Sequence, residues 1–122
     1  MAGTRAGHRV FVYGTLRAGE DNHRLLRGAL YLGTHRTPSR YTMLDLGGYP
    51  GVIAGRTRIT GEVYAVDPRT FAALDRLEEH PRVYTRVLIP SPYGKTWLYI
   101  YRGHRARRRV VPSGDWCPGR RG

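Results

Sequence analysis

A chain of 122 residues has room for one domain, which excludes a separate catalytic or regulatory module. Its 40% hydrophobic and 25% charged content is that of an ordinary globular chain, not of a disordered tail or a membrane protein. The net charge of +12, from 21 basic residues of which all but Lys95 are arginine, raises nucleic acid as a partner, although a solvated basic surface gives the same number.

In chain order, Val10-Phe11-Val12-Tyr13 is a β-branched and aromatic run stopped by Gly14, and predicts a first, buried strand. Tyr41 to Leu46 is a weaker strand candidate, closed by Gly47-Gly48-Tyr49-Pro50-Gly51, which reads as a turn or loop, either a lid or a simple connection. Thr57 to Val66 alternates apolar positions around Gly61, where a bulge or a sharp bend is expected. Asp67-Pro68 starts a helix that Pro81 ends, with Phe71, Leu74 and Leu77 on the face turned to the sheet. Val83 to Ile89 and Thr96 to Tyr101 complete a set of about five strands. The expected class is α+β, mostly β, as a single domain over 9–116 with flexible termini at 1–8 and 117–122.

Chemistry-bearing residues are few. The single cysteine, Cys117, excludes an internal disulfide and a thiolate cage, and His8, His23, His35, His80 and His104 have no ligand spacing, so neither a metal nor a cofactor is expected. No run is long enough to span a bilayer and the N-terminal residues lack the apolar core of a signal peptide, so the expected compartment is the cytoplasm, without membrane contact. At about 100° per residue, position 78 falls between Phe71 and Leu74, which predicts that Glu78 points inward. It then either lies at the rim or pairs with an arginine such as Arg86, or serves as a proton carrier whose pKa is raised by the helix C-terminus and by burial. Tyr13-Gly14-Thr15-Leu16 is either an ordinary glycine turn or a concavity of main-chain N–H groups that binds an anion. Tyr84 and Arg86 share a strand face; the tyrosine hydroxyl can orient a carboxylate or a substrate, and Arg86 is assigned a structural role. Trp116 in Ser113-Gly114-Asp115-Trp116 is expected to pack as a plug.

Taken together, VYGTLRAGEDNHRLL, LGGYPGV, GEVYAVD, LDRLEEHPRVYTR and SGDW resemble the γ-glutamylcyclotransferase-like family, and the form of the motifs looks like its γ-glutamylamine cyclotransferase branch. The resemblance implies a small antiparallel β-barrel with flanking helices and a cavity at one end. It implies that Glu78 is the catalytic acid/base, that Tyr13, Gly14, Thr15 and Leu16 cradle the substrate's α-carboxylate, and that Tyr84 is the site tyrosine. The family often has glycine after the catalytic glutamate, where this chain has Glu79.

The implied reaction is cofactor-independent release of 5-oxoproline and a free amine from a small-molecule γ-glutamyl amine. The positive surface argues for an acidic or neutral amine over a polycationic one. Two alternatives compete with this reading: a basic β-barrel that binds nucleic acid through the run from Arg105 to Arg109, and an inactive member of the same fold that binds a small ligand.

Overall fold

Val10 and Phe11 are fully shielded from solvent and Val12 is nearly so, because the strand that carries them lies at the centre of a sheet. The computed structural model describes residues 7–117, so the flexibility expected of residues 1–6 and 118–122 lies outside the described residues. Among the described residues there are eight strands: β1 (His8–Val12), β2 (Leu30–Arg36), β3 (Tyr41–Asp45), β4 (Pro50–Ala54), β5 (Thr60–Val66), β6 (Tyr84–Ile89), β7 (Thr96–Tyr101) and β8 (Arg109–Val110). One α-helix, α1 (Pro68–Leu77), and a 3₁₀ turn (His23–Leu26) accompany them. The larger sheet has the order β2-β5-β1-β7-β6 and the smaller one β4-β3-β8. The class is α+β, mostly β. The implied antiparallel barrel needs two corrections: β1 runs parallel to β7, and the strands form two sheets.

Buried on both faces, the inner part of β1, Val10 to Val12, reads as an unbroken apolar run. The two-residue period of the strand splits its side chains between two cores. Val10 and Val12 join Tyr64, Tyr99 and Tyr101 with Phe71 and Leu74 of α1, while Phe11 and Tyr13 join Met43, Val52, Ile59, Leu98 and Trp116. Trp116 is therefore a packing residue, 1% exposed.

Several elements depart from expectation for identifiable reasons. β2 escapes detection because an edge strand with Leu30 and Tyr31 both exposed and a register shift between Tyr31 and Gly33 has no clean alternation. Pro50 and Gly51, read as turn residues, open β4, an edge strand whose first residue needs no N–H for the ladder. Gly61 is not a bulge: its pairing with His35 is regular, and a Cβ there would lie 2.4 Å from the Val12 carbonyl oxygen. β5 starts at Thr60, leaving Thr57 as an isolated bridge to Tyr41. His8, assigned to the flexible start, belongs to β1 and its ring packs on Phe71 at 4.6 Å.

The helix begins as expected, with Asp67 Oδ1 accepting from the Thr70 N–H at 2.7 Å and Pro68 in the first turn. Its end differs. The Glu79 N–H donates to the Arg76 carbonyl (3.1 Å), the His80 N–H to the Asp75 carbonyl (2.9 Å), and Glu79 has φ 50°. This is the Schellman arrangement, with Glu79 in the left-handed position usually held by glycine. It, rather than Pro81, stops the helix at Leu77. Leu77 is 38% exposed, so the docked face is carried by Phe71 and Leu74.

Candidate active site

The end of β1, the tip of the β3–β4 hairpin and the end of α1 converge on a cavity of about 440 Å³. Its lining includes Tyr13, Gly14, Thr15 and Leu16, Gly48, Tyr49 and Pro50, Glu78 and Glu79, and Tyr84, all from separate parts of the sequence. Every residue expected at the site is brought together there.

The turn after β1 closes with the Arg17 N–H donating to the Gly14 carbonyl at 3.0 Å. Asn22, itself part of the cavity lining, holds it, donating its main-chain N–H to the Thr15 carbonyl (2.9 Å) and its amide to Thr15 Oγ1 (2.8 Å). The Thr15 and Leu16 N–H groups have no acceptor among the described residues, and both residues line the cavity. Adjacent free donors of this kind form an anion-binding concavity. Gly14 is needed for a close approach rather than an unusual φ: a Cβ there would sit 2.5 Å from Pro50 Cγ.

The hairpin that supplies Pro50 turns through Gly47 and Gly48, with φ 102° and 103°. Their N–H groups donate to Asp45 Oδ1 at 2.9 and 3.3 Å. The glycine-rich segment is thus a hairpin tip that forms part of the cavity wall.

Glu78 caps the C-terminal end of α1, its N–H bonded to the Leu74 carbonyl at 2.9 Å. Its side chain enters the cavity, and among the described residues its carboxylate has no hydrogen-bond or ion-pair partner. Burial pushes its pKa up to about 7. Arg86, the cation that could have neutralised it, is taken by Asp75 through a two-pronged pair at 2.9 and 3.0 Å. Its guanidinium also stacks over Phe71 (4.3 Å) and Trp97 (4.7 Å), which fits the structural role expected of it. Burial alone would raise the Asp75 pKa, but Arg86 and the Tyr99 hydroxyl, which donates at 2.6 Å, bring it below the usual range.

The tyrosines are disposed differently from expectation. Tyr84 lines the cavity, but its hydroxyl donates to the Pro50 carbonyl at 2.8 Å, so its proton is committed and only the oxygen lone pairs face a ligand. Tyr13 likewise donates to the Tyr99 carbonyl at 2.9 Å. Burial, with the nearby Glu78 charge adding to it, raises both phenols above their ordinary pKa, so they stay protonated.

A supporting group was not found from the sequence. Arg17 donates to Asp115 Oδ1 (2.6 Å), the Trp116 carbonyl (3.2 Å) and Glu62 (3.4 Å). Glu62, 8% exposed, also accepts from the Ala18 N–H (3.0 Å) and the Tyr64 hydroxyl (2.9 Å). These bonds fix the far end of the donor turn. Their only trace in the sequence is a carboxylate, Glu62, within an otherwise apolar strand. The arginine run does not form one uniform face: Arg108 turns back onto the His104 and Leu46 carbonyls at 3.1 and 3.4 Å.

Known proteins share this arrangement of strands and sequence. The chain is 47% identical over 110 residues to a Vibrio cholerae protein provisionally named a gamma-glutamylcyclotransferase, covering 90% of this chain and 96% of that one. It is 39% identical over 108 residues to the gamma-glutamylcyclotransferase family protein YtfP of Escherichia coli K12, covering 88% and 95%. The solution structure of E. coli YtfP superposes with a TM-score of 0.75 over 88% of this chain and 95% of that one. A shorter match, 39% over 72 residues, or 58% of this chain and 46% of the other, is to the gamma-L-glutamyl-butirosin B gamma-glutamyl cyclotransferase of Niallia circulans. Residues 10–118 match the family described as gamma-glutamyl cyclotransferase, AIG2-like, and on that extent of agreement the chain belongs to this family.

Proposed function

We propose that the protein is a cyclotransferase of γ-glutamyl amines, releasing 5-oxoproline and the free amine, with Glu78 as general acid and base. The observation that carries this reading is an unpartnered carboxyl group with a pKa of about 7 in the same cavity as two free main-chain donors. A relative named for removing a γ-glutamyl group from butirosin supports the amine class.

In this reaction the N–H groups of Thr15 and Leu16 hold the α-carboxylate of the γ-glutamyl group. Ionised Glu78 takes a proton from the α-ammonium, and the freed amine attacks the γ-carbonyl carbon. A ring C–N bond forms and the bond to the leaving nitrogen breaks. Glu78 returns the proton to that nitrogen, and a second proton follows the same path, so the α-ammonium ends as a lactam N–H and the leaving group as an ammonium. Attack within one molecule gains from orientation, which contributes up to about 7–11 kcal/mol in well-aligned cases. The side chains present supply the proton transfer, typically worth about 10²–10⁴-fold.

The test is 5-oxoproline release from a panel of γ-glutamyl amines, measured by mass spectrometry across pH. Wild-type kcat/KM should rise as pH rises through about 7, where Glu78 ionises. Glu78→Gln should lose at least about 10²-fold and the pH step with it. Retained turnover in that variant rejects the assignment.

A further inference from the structure

Away from the cavity, positive charge collects where the connection between β2 and β3 meets the connection between β4 and β5. Arg36, Arg40, Arg56 and Arg58 are all exposed there, and none of them lines the active-site cavity. Uncharged bonds build the group. The Gly55 N–H donates to the Arg40 carbonyl (2.9 Å) and the Tyr41 N–H to the Thr57 carbonyl (3.1 Å). Thr37, fully buried, staples the other side: its N–H donates to the Ile59 carbonyl (2.9 Å), and its Oγ1 accepts from the Ile59 N–H (2.8 Å). Arg36 pairs with Thr60 across the β2–β5 ladder. Arg58 donates through Nε to the Thr37 carbonyl at 2.9 Å, which fixes its guanidinium and leaves the terminal N–H groups for a ligand.

No acid answers these charges. Among the described residues, none of the four arginines has a carboxylate partner. Asp115, which the bond from the Thr60 N–H to the Gly114 carbonyl (2.8 Å) brings towards this region, is engaged with Arg17 at 2.6 Å. The Arg58 charge reaches His35 instead, whose pKa is lowered by burial and then by Arg58. Like charges held together by the main chain, with no counter-charge inside the protein, are matched by an anion from outside. No large hydrophobic side chain within residues 36–41 or 54–58 is exposed, so the patch has nothing to insert into a lipid surface or to bury against an apolar protein face. All four cations are guanidinium groups, whose planar fork fits two oxygens of one phosphate. Spread over two connections, they can meet successive phosphates along a backbone.

We propose that Arg36, Arg40, Arg56 and Arg58 form a surface that binds the phosphate backbone of a nucleic acid without reading its bases. The contact falls on these two connections and not on the run from Arg105 to Arg109, where Arg108 turns back onto main-chain carbonyls.

The experiment follows the fluorescence anisotropy of labelled duplexes of about 20 base pairs, one DNA and one RNA, titrated with the full chain in salt from about 50 to 200 mM. Four phosphate contacts on DNA give a slope of log K against log salt of about −3.6, so binding should weaken about 100-fold over that range whatever the base sequence. Arg36→Gln, Arg40→Gln and Arg56→Gln should each reduce the slope by about 1. The side chains of these three have no hydrogen bond or ion pair among the described residues, so their replacement does not endanger the fold, and urea unfolding of each variant checks this. Arg58→Gln, which also gives up the bond to Thr37, should remove the fourth contact. Binding of either duplex that falls with these substitutions supports the proposal. A slope unchanged in the triple variant, or a loss that follows Arg105→Gln and Arg107→Gln instead, overturns it. So does tighter binding to phosphatidylserine vesicles than to either duplex, or no binding of a duplex at about 50 mM salt.

Discussion

A carboxyl group held neutral by its surroundings opposes folding once it ionises. The folded pKa of Glu78 is raised to about 7 from an ordinary 4.5, so the folded chain binds this proton more tightly than the unfolded one. Its cost is absent below about pH 4.5, grows between there and pH 7, and is fully present above pH 7. Glutamine keeps the shape without the charge. Glu78→Gln should therefore be more stable than wild type by about 1–3 kcal/mol at pH 8, with the difference vanishing by pH 4, as read by urea unfolding at both pH values. A variant that loses activity yet gains stability at high pH separates a functional carboxylate from a structural one. Glu78 was legible because helical angle alone places position 78 between Phe71 and Leu74. The commitment of the Tyr84 proton to Pro50 was not, because that partner lies 34 residues away.

At the level of elements, the end of α1 sets where Glu78 points, and it does so through a residue poorly suited to its backbone. Glu79 at φ 50° pays a cost that glycine avoids. Glu79→Gly should raise stability by about 0.5–1 kcal/mol, seen as an increase of a few degrees in Tm. The donor turn has its own support in Arg17, a positioning residue that touches Glu62 and Asp115 rather than the cavity. Arg17→Ala removes the cation from two partly buried carboxylates and should cost about 2–4 kcal/mol. If, as proposed, this turn binds the α-carboxylate in ground state and transition state alike, loosening it should raise KM while kcat and its pH step at Glu78 change little. A merely structural role would lower the active fraction without that split. Local signals identified the helix start, β1 and β7, whose caps and apolar runs are self-contained. They failed at β2 and β4, edge strands whose exposed faces and opening proline resemble a loop until a neighbouring strand is in place.

Across the whole molecule, the segment after β8 ties the two sheets and the site into one unit. The Val111 N–H donates to the Met43 carbonyl of the small sheet, and the Gly114 carbonyl accepts from the Thr60 N–H of the large one, both at 2.8 Å. Asp115 and the Trp116 carbonyl then hold Arg17 beside the donor turn. Trp116 secures this strap by filling the core between Phe11, Met43 and Val52. The sequence marked it as a plug, since a tryptophan after a polar turn has few other uses, but the strap's link to the turn after β1 spans 98 residues and left no local trace. Trp116→Ala should destabilise by about 3–5 kcal/mol, through lost burial and a cavity that the close-packed core cannot collapse, and Trp116→Phe by less than half of that. Guanidinium unfolding of the three proteins measures this. If the strap also positions the donor turn, the phenylalanine variant, still folded, should raise KM in the same direction as Arg17→Ala. An unchanged KM would confine the Trp116 side chain to packing and leave the bonds from Arg17 to Asp115 and to the Trp116 carbonyl to bring this segment to bear on the site.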